Sequence, residues 1–214
     1  MINRFLIIIL LITFSAATHA ERLPVTVKEL RLELEVINFD LEKDAKLNRL
    51  ATLVAHTEEL AKENNNDPGI LLMAGVYNAQ YAGAIGGIGA LKYAKAARGY
   101  LESSVKLDPT IYSASAYSVL GTLYLRVPRW PIGYGSKKKA DENYKMALEI
   151  APNDIDLNFT YARYLYQKKK YAESKIYLQQ AKVAPPRPLL PRADRELHRK
   201  IDQALIAIDK KLKQ

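Results

Sequence analysis

The chain has 214 residues, 49% of them hydrophobic and 26% charged, a balance that fits a globular domain with its own core and excludes a disordered chain. It contains no cysteine, which rules out disulfides, a thiol nucleophile, cysteine-based zinc sites and lipid carried on cysteine. The net charge of +9 is unevenly held: residues 21–125 carry 11 Lys plus Arg against 13 Asp plus Glu, whereas residues 126–214 carry 20 against 10.

Residues 1–20 read as an export signal. Asn3 and Arg4 give a polar, positive start, Phe5 to Phe14 is an unbroken apolar run, and Ser15 to Ala20 ends in small residues, so cleavage is expected after Ala20. The apolar run is about half of what a bilayer crossing needs. A retained anchor stands as the other reading of the same segment. A periplasmic location is expected for the cleaved product, and there nucleic acid is not a candidate partner.

Residues 21–67 are expected to form a degenerate helical hairpin. Arg31 to Val36 alternates like a strand, yet Leu30, Leu34, Ile37 and Leu41 keep helical spacing, and a helix is expected. Asp44 to Glu63 places Leu47, Leu50, Val54, Leu60 and Ala61 on one apolar face, and Asn64 to Pro68 then favours a turn.

Residues 68–186 carry a repeated grammar. Leu120, Gly121 and Tyr124, followed by Ala140, Tyr144, Ala147 and Pro152, fit the two halves of a tetratricopeptide (TPR) unit, with small residues where paired helices approach and large ones where space is filled. Tyr161, Ala162, Leu165, Tyr171, Ser174, Leu178, Ala181 and Pro186 repeat it, and Pro152 to Pro186 is 34 residues, the TPR period. Tyr77, Tyr81, Ala97, Leu101, Ser104 and Pro109 repeat it less cleanly upstream. The step from the last large residue of the first helix to the small residue of the second is 9 in the third unit (Leu165 to Ser174). It is 16 in the first (Tyr81 to Ala97) and in the second (Tyr124 to Ala140). Both of those units therefore carry a lengthened inter-helix turn, and such insertions emerge on one edge of a stack.

The two insertions differ in kind. Ala82 to Ala90 is glycine-rich, but no Lys-Ser or Lys-Thr pair follows and a helix precedes it, so it does not fit a phosphate-binding loop. Val127 to Gly135 holds two prolines together with Trp130, the only tryptophan, and Tyr134. These aromatics either contact a ligand, as Trp and Tyr do at binding hot spots, or fold back as a local plug. Residues 187–214 are expected to form a proline-rich, extended spacer and a capping helix with Leu197, Ile201, Leu205, Ile208 and Leu212 on one stripe. The fold expected is thus all-α: a TPR-like solenoid of three to four hairpins with a C-terminal capping helix.

No HExxH, GxSxG or repeated carboxylate pair is present, and only His56 and His198 follow the signal. No catalytic, cofactor or metal residue is expected. A binding role is. If the first helix of each unit lines a concave face, Leu72, Gly75, Ala79 and Ala82 face it from the first unit, Ser115, Ser118, Thr122 and Arg126 from the second, and Asp156, Arg163 and Tyr166 from the third. Arg126, Arg163 and Tyr166 are the expected contacts for an anion or a peptide carboxylate, because a guanidinium grips a carboxylate through two parallel bonds. Thr122, Trp130 and Tyr134 complete the candidate set. The basic second half suggests weak contact with an anionic envelope surface, or else only solvated helix ends at Lys137 to Lys139 and Lys168 to Lys170.

The phrase PRWPIGYGSKKKADENYKMALEIAP, with the export signal and lengthened turns, resembles the TPR proteins associated with periplasmic TRAP transporters, the T-component family. It is also similar to the TPR domain of regulators of microtubule dynamics. The resemblance covers Pro68 to Pro186. It implies a non-catalytic periplasmic adaptor that partners a solute-binding protein, as a homo-oligomer with a central channel. This chain departs from lipid-anchored members in lacking a cysteine at the signal junction. A carrier for an apolar or anionic solute is the alternative.

Overall fold

The computed structural model describes residues 25–213; the expected export signal lies outside them. Among the described residues there are nine helices and no strand: α1 (Val27–Phe39), α2 (Lys43–Glu63), α3 (Pro68–Ile85), α4 (Ala90–Leu107), α5 (Ile111–Arg126), α6 (Lys137–Ile150), α7 (Ile155–Gln167), α8 (Tyr171–Lys182) and α9 (Pro191–Leu212). The protein is all-α. None of these helices is long and apolar enough to cross a membrane.

Local chemistry sets several of the starts. Thr26 and Glu29 form a reciprocal capping box on α1. Asp67 accepts from the amides of Gly69 and Ile70 while Pro68 opens α3, where its missing N–H is no loss. Asp154 caps α7 through Leu157 N, and Ser136 caps α6 through Lys139 N.

The helices pack chiefly as neighbours in sequence, α3 on α4, α5 on α6 and α7 on α8, with α2 on α3, α4 on α5 and α9 on α7 and α8 joining them. Glycines set two of the pairings. A Cβ on Gly75 would lie 2.5 Å from Leu101 Cγ, and one on Gly121 would lie 2.7 Å from the Tyr144 ring, so each allows an approach that no larger residue would. In the third pair Ser174 Oγ donates to Ala162 O at 2.7 Å. The largest core cluster runs from α3 to α7 through Leu101, Leu120, Tyr124, Tyr144, Tyr161 and Tyr164. A second joins α1, α2 and α3, where Tyr77 OH donates to Leu30 O at 2.7 Å. A third holds α9 to α7 and α8 through Ile155, Phe159, Leu178, Ile201 and Ile208.

Two details differ from the sequence expectation, and one contact lay beyond it. The first insertion is largely absorbed into helix: α3 runs to Ile85 and α4 begins at Ala90, leaving only residues 86–89, with Gly86 and Gly87 at φ of 62° and 63°. Ala84 and Ile85 sustain a helical turn, whereas Pro128 and Pro131 cannot, and the second insertion stays a loop. In that loop Gly135 N donates to Pro128 O, Ser136 N donates to Tyr124 O, and a Cβ on Gly135 would meet Val127 O at 1.9 Å.

The proline-rich stretch, expected as an extended spacer, instead turns at residues 187–190, and Pro191 becomes the first residue of α9. Arg187 holds this turn through Asp194, with N···Oδ2 at 2.6 Å and Nε···Oδ1 at 2.8 Å, and through Asp156. Finally, α9 has no side-chain cap of its own. Glu35 of α1, 8% exposed, accepts from the amides of Ala193 (3.0 Å) and Arg192 (3.3 Å), and the Arg192 guanidinium grips Asp40 through two bonds of 2.8 and 2.6 Å. The two end helices are therefore tied together.

Candidate functional site

The residues singled out in the sequence fall into two places. On the first, α5, α6 and α7 bring Thr122, Arg126 and Arg163 around the hydroxyl of Tyr144. The Tyr144 ring is buried at 3% exposure among Gly121, Tyr161 and Tyr164, which fixes its position. Its hydroxyl shares a 3.1 Å hydrogen bond with Thr122 Oγ1, which also lies 3.1 Å from Ser118 O. A carbonyl can only accept, so Thr122 donates to Ser118 and Tyr144 donates to Thr122, leaving lone pairs on the tyrosine oxygen. Burial pushes the Tyr144 hydroxyl up; the Thr122 bond and the positive charges of Arg126 and Arg163 pull it back.

Arg126 and Arg163 are exposed, and neither forms an ion pair with a described carboxylate. Arg163 lies 5.8 Å from the Phe159 ring centroid. Two exposed guanidiniums free of internal acids, whose charges both act on the Tyr144 hydroxyl, form a place where an anion gains charge-assisted bonds without breaking a native pair.

Arg163 and Tyr166 also border a cavity of about 310 Å³ between α7, α8 and α9, whose wall includes Ala162, Leu178, Ala204 and Ile208. Tyr166 is 37% exposed, with its ring edge-on to Tyr171 at 5.2 Å. The wall is mostly apolar, with the guanidinium supplying its charge.

The first unit's expected face residues lie in or against the core, Ala79 being half-buried against it. Leu72 and Ala82 are core residues at 2% and 6% exposure, and Gly75 packs against Leu101. The reason is that α3 is buried continuously from Gly69 to Gly75, so no single face can be assigned from register. Asp156, expected on the groove, is spent on Arg187.

The second place is the edge made by the inter-helix turns. Here Tyr134 and Trp130 separate. Tyr134 turns inward: its hydroxyl donates to Ala94 O at 2.6 Å, its ring meets Tyr124 edge-on at 5.5 Å, and Arg98 stacks over it at 4.3 Å. It is a plug that fastens the α5–α6 loop to the start of α4, and burial pushes its hydroxyl pKa strongly up. Trp130 is 86% exposed.

A further cavity of about 530 Å³ lies where α1, the start of α5 and the 185–190 turn converge; sequence reasoning did not anticipate it, because its walls are distant in the chain. In it Arg31 stacks over the Tyr112 ring at 4.2 Å, and burial lowers the Arg31 pKa. His56 and His198 are half-buried, and no group of three His, Asp or Glu placed to hold a metal occurs among the described residues. No protein-family model matches this chain, and no curated protein matches it.

Proposed function

We propose that this chain is a non-catalytic TPR-type adaptor whose α3–α8 hairpins form a solenoid that docks a carboxylate-bearing segment of a partner protein on the Arg126–Tyr144–Arg163 face. The observation that carries this reading is the pair of exposed guanidiniums, free of internal acids, around a buried and hydrogen-bonded hydroxyl. The resemblance of Pro68 to Pro186 to the T-component family makes a periplasmic solute-binding subunit of a TRAP-type transporter the partner of choice, with the chain acting in the periplasm, alone or as a homo-oligomer. The test is calorimetric titration of acidic peptides with free and with amidated C-termini into the wild type and into Arg126→Ala/Arg163→Ala. Binding that needs a carboxylate and falls at least about tenfold in the variant supports docking, the loss of one or two charge-assisted bonds being worth that much. Binding indifferent to both arginines rejects it.

A second reading, a carrier for a small anionic and apolar solute, is favoured by the cavity beneath Arg163 and Tyr166. Native mass spectrometry of protein from its source separates the two. A co-purifying small molecule that is lost on Arg163→Ala supports the carrier, and a bare chain rejects it.

A further inference from the structure

Three turns line one edge of the molecule. Tyr134 joins the α5–α6 loop to the start of α4, and Tyr164 OH, 3.3 Å from Lys137 O, with Lys168, 3.9 Å from Asp141, joins the α7–α8 turn to the start of α6. Along this edge the apolar side chains are not withdrawn. Ile88 is 87% exposed, Trp130 86% and Ile132 67%, on two separate loops.

The charges around them are of one sign. Among the described residues Lys92, Arg129, Lys137, Lys139 and Lys169 form no ion pair, Lys92 and Lys139 lying instead over the rings of Tyr93 and Tyr124. No acidic residue occurs between Gly69 and Arg98 or between Asp108 and Lys139. The acids that follow are engaged: Asp141 with Lys145 and Lys168, Glu142 with Lys138, Glu173 with Lys170. At the opposite ends of the same helices stand Asp67, Asp108 and Asp154, two of them N-caps and one a C-cap. The turn edge thus carries cations that no neighbouring acid offsets.

We propose that this turn edge docks on an anionic phospholipid bilayer, with Trp130, Ile132 and Ile88 entering the headgroup layer and the surrounding cations facing lipid phosphates. A bilayer fits better than a protein partner for a geometric reason. The apolar side chains stand largely exposed on two separate loops, whereas a protein hot spot needs a packed, water-excluding surround. A lipid surface needs no such complementarity: tryptophan favours the headgroup level, and each juxtaposed Lys or Arg adds attraction to an anionic leaflet. This inference uses a surface other than the Arg126–Arg163 face and does not depend on it.

Trp130, being the only tryptophan, is a built-in reporter. The full chain is mixed with vesicles of phosphatidylcholine plus phosphatidylglycerol, and with pure phosphatidylcholine vesicles, in each case with brominated acyl chains. The expected result is a blue-shifted, bromine-quenched Trp130 on the anionic vesicles alone, weakening as salt is raised. Ile88→Ser/Ile132→Ser, which keeps the reporter, should weaken binding at least about tenfold, and each of Arg129→Gln, Lys137→Gln and Lys139→Gln by about fivefold. All five positions are exposed, and circular dichroism checks that the variants remain folded. An unshifted, unquenched Trp130 on anionic vesicles overturns the proposal, whether the chain stays in solution or sediments with the vesicles through another segment. So does a Trp130 that shifts only when an acidic protein is added.

Discussion

Gly121 gives the sharpest test of the packing. In an exposed helix interior Gly→Ala gains about 0.5–1 kcal/mol, because alanine loses less backbone entropy on folding. Gly99 in α4 is such a position, with nothing within 4 Å of a built Cβ, and Gly99→Ala should stabilise by that amount. At Gly121 the same methyl would sit 2.7 Å from Tyr144 Cδ1 and Cε1. The ring cannot retreat: Tyr161 and Tyr164 lie 6.1 and 5.3 Å from it, centroid to centroid, and its hydroxyl is held by Thr122. Overpacking of this kind costs about 1–3 kcal/mol, so the net for Gly121→Ala is a loss of about 1–2 kcal/mol. The two substitutions are chemically identical and opposite in sign. Urea unfolding followed by circular dichroism at constant m-value reads both. A Gly121→Ala protein as stable as Gly99→Ala would refute the contact, and with it the fixed position of the Tyr144 hydroxyl beside Thr122.

Glu35→Ala should cost about 2 kcal/mol, since it strips the cap from two α9 amides and leaves Arg192 with Asp40 alone; the midpoint of chemical unfolding measures it. Arg126→Ala/Arg163→Ala, by contrast, should change stability by no more than about 0.5 kcal/mol, because both side chains are exposed and unpaired; a larger loss would mean the pair is structural. Alkaline pH should destabilise the fold. Burial raises the hydroxyls of Tyr144 and Tyr164, the latter to about 12, so the unfolded chain ionises first. The stability Tyr164 contributes is full below about pH 10 and is lost as pH rises towards 12, at up to about 1.4 kcal/mol per pH unit, and Tyr144 acts in the same direction. Tyr164→Phe should flatten that slope, as thermal melts across the range will show.

Much of the helix pairing was legible because it is local. The spacing from Leu120, Gly121 and Tyr124 to Ala140, Tyr144 and Ala147 places small against large within one hairpin, and the structure packs Gly121 on Tyr144. Register failed where amphipathicity failed: α3 is apolar on nearly every side, so Leu72, Gly75 and Ala82 went to the core. Register on α7, whose polar and apolar sides are distinct, put Arg163 outside the core; α5 is buried or half-buried along most of its length, and only at its end does Arg126 stand exposed. Tyr144, at the centre of that face, read only as packing, since nothing in a sequence tells which way a buried hydroxyl points. Trp130 and Tyr134 look alike in a loop; what parts them is the Ala94 carbonyl and Arg98, partners contributed by a helix some 40 residues earlier. Glu35 capping α9 was illegible for the same reason, with a separation of 158 residues.

That last contact governs how the molecule comes apart. A row of helical pairs in which each touches only its neighbours loosens from its ends inward, one pair at a time, and its stability is close to a sum of local terms. Joining the first described helix to the last ties both ends of the described row, so that fraying at one must also break the other. Hydrogen exchange in α1 and α9 should therefore rise and fall together, behaving as a single cooperative unit despite their separation of some 150 residues.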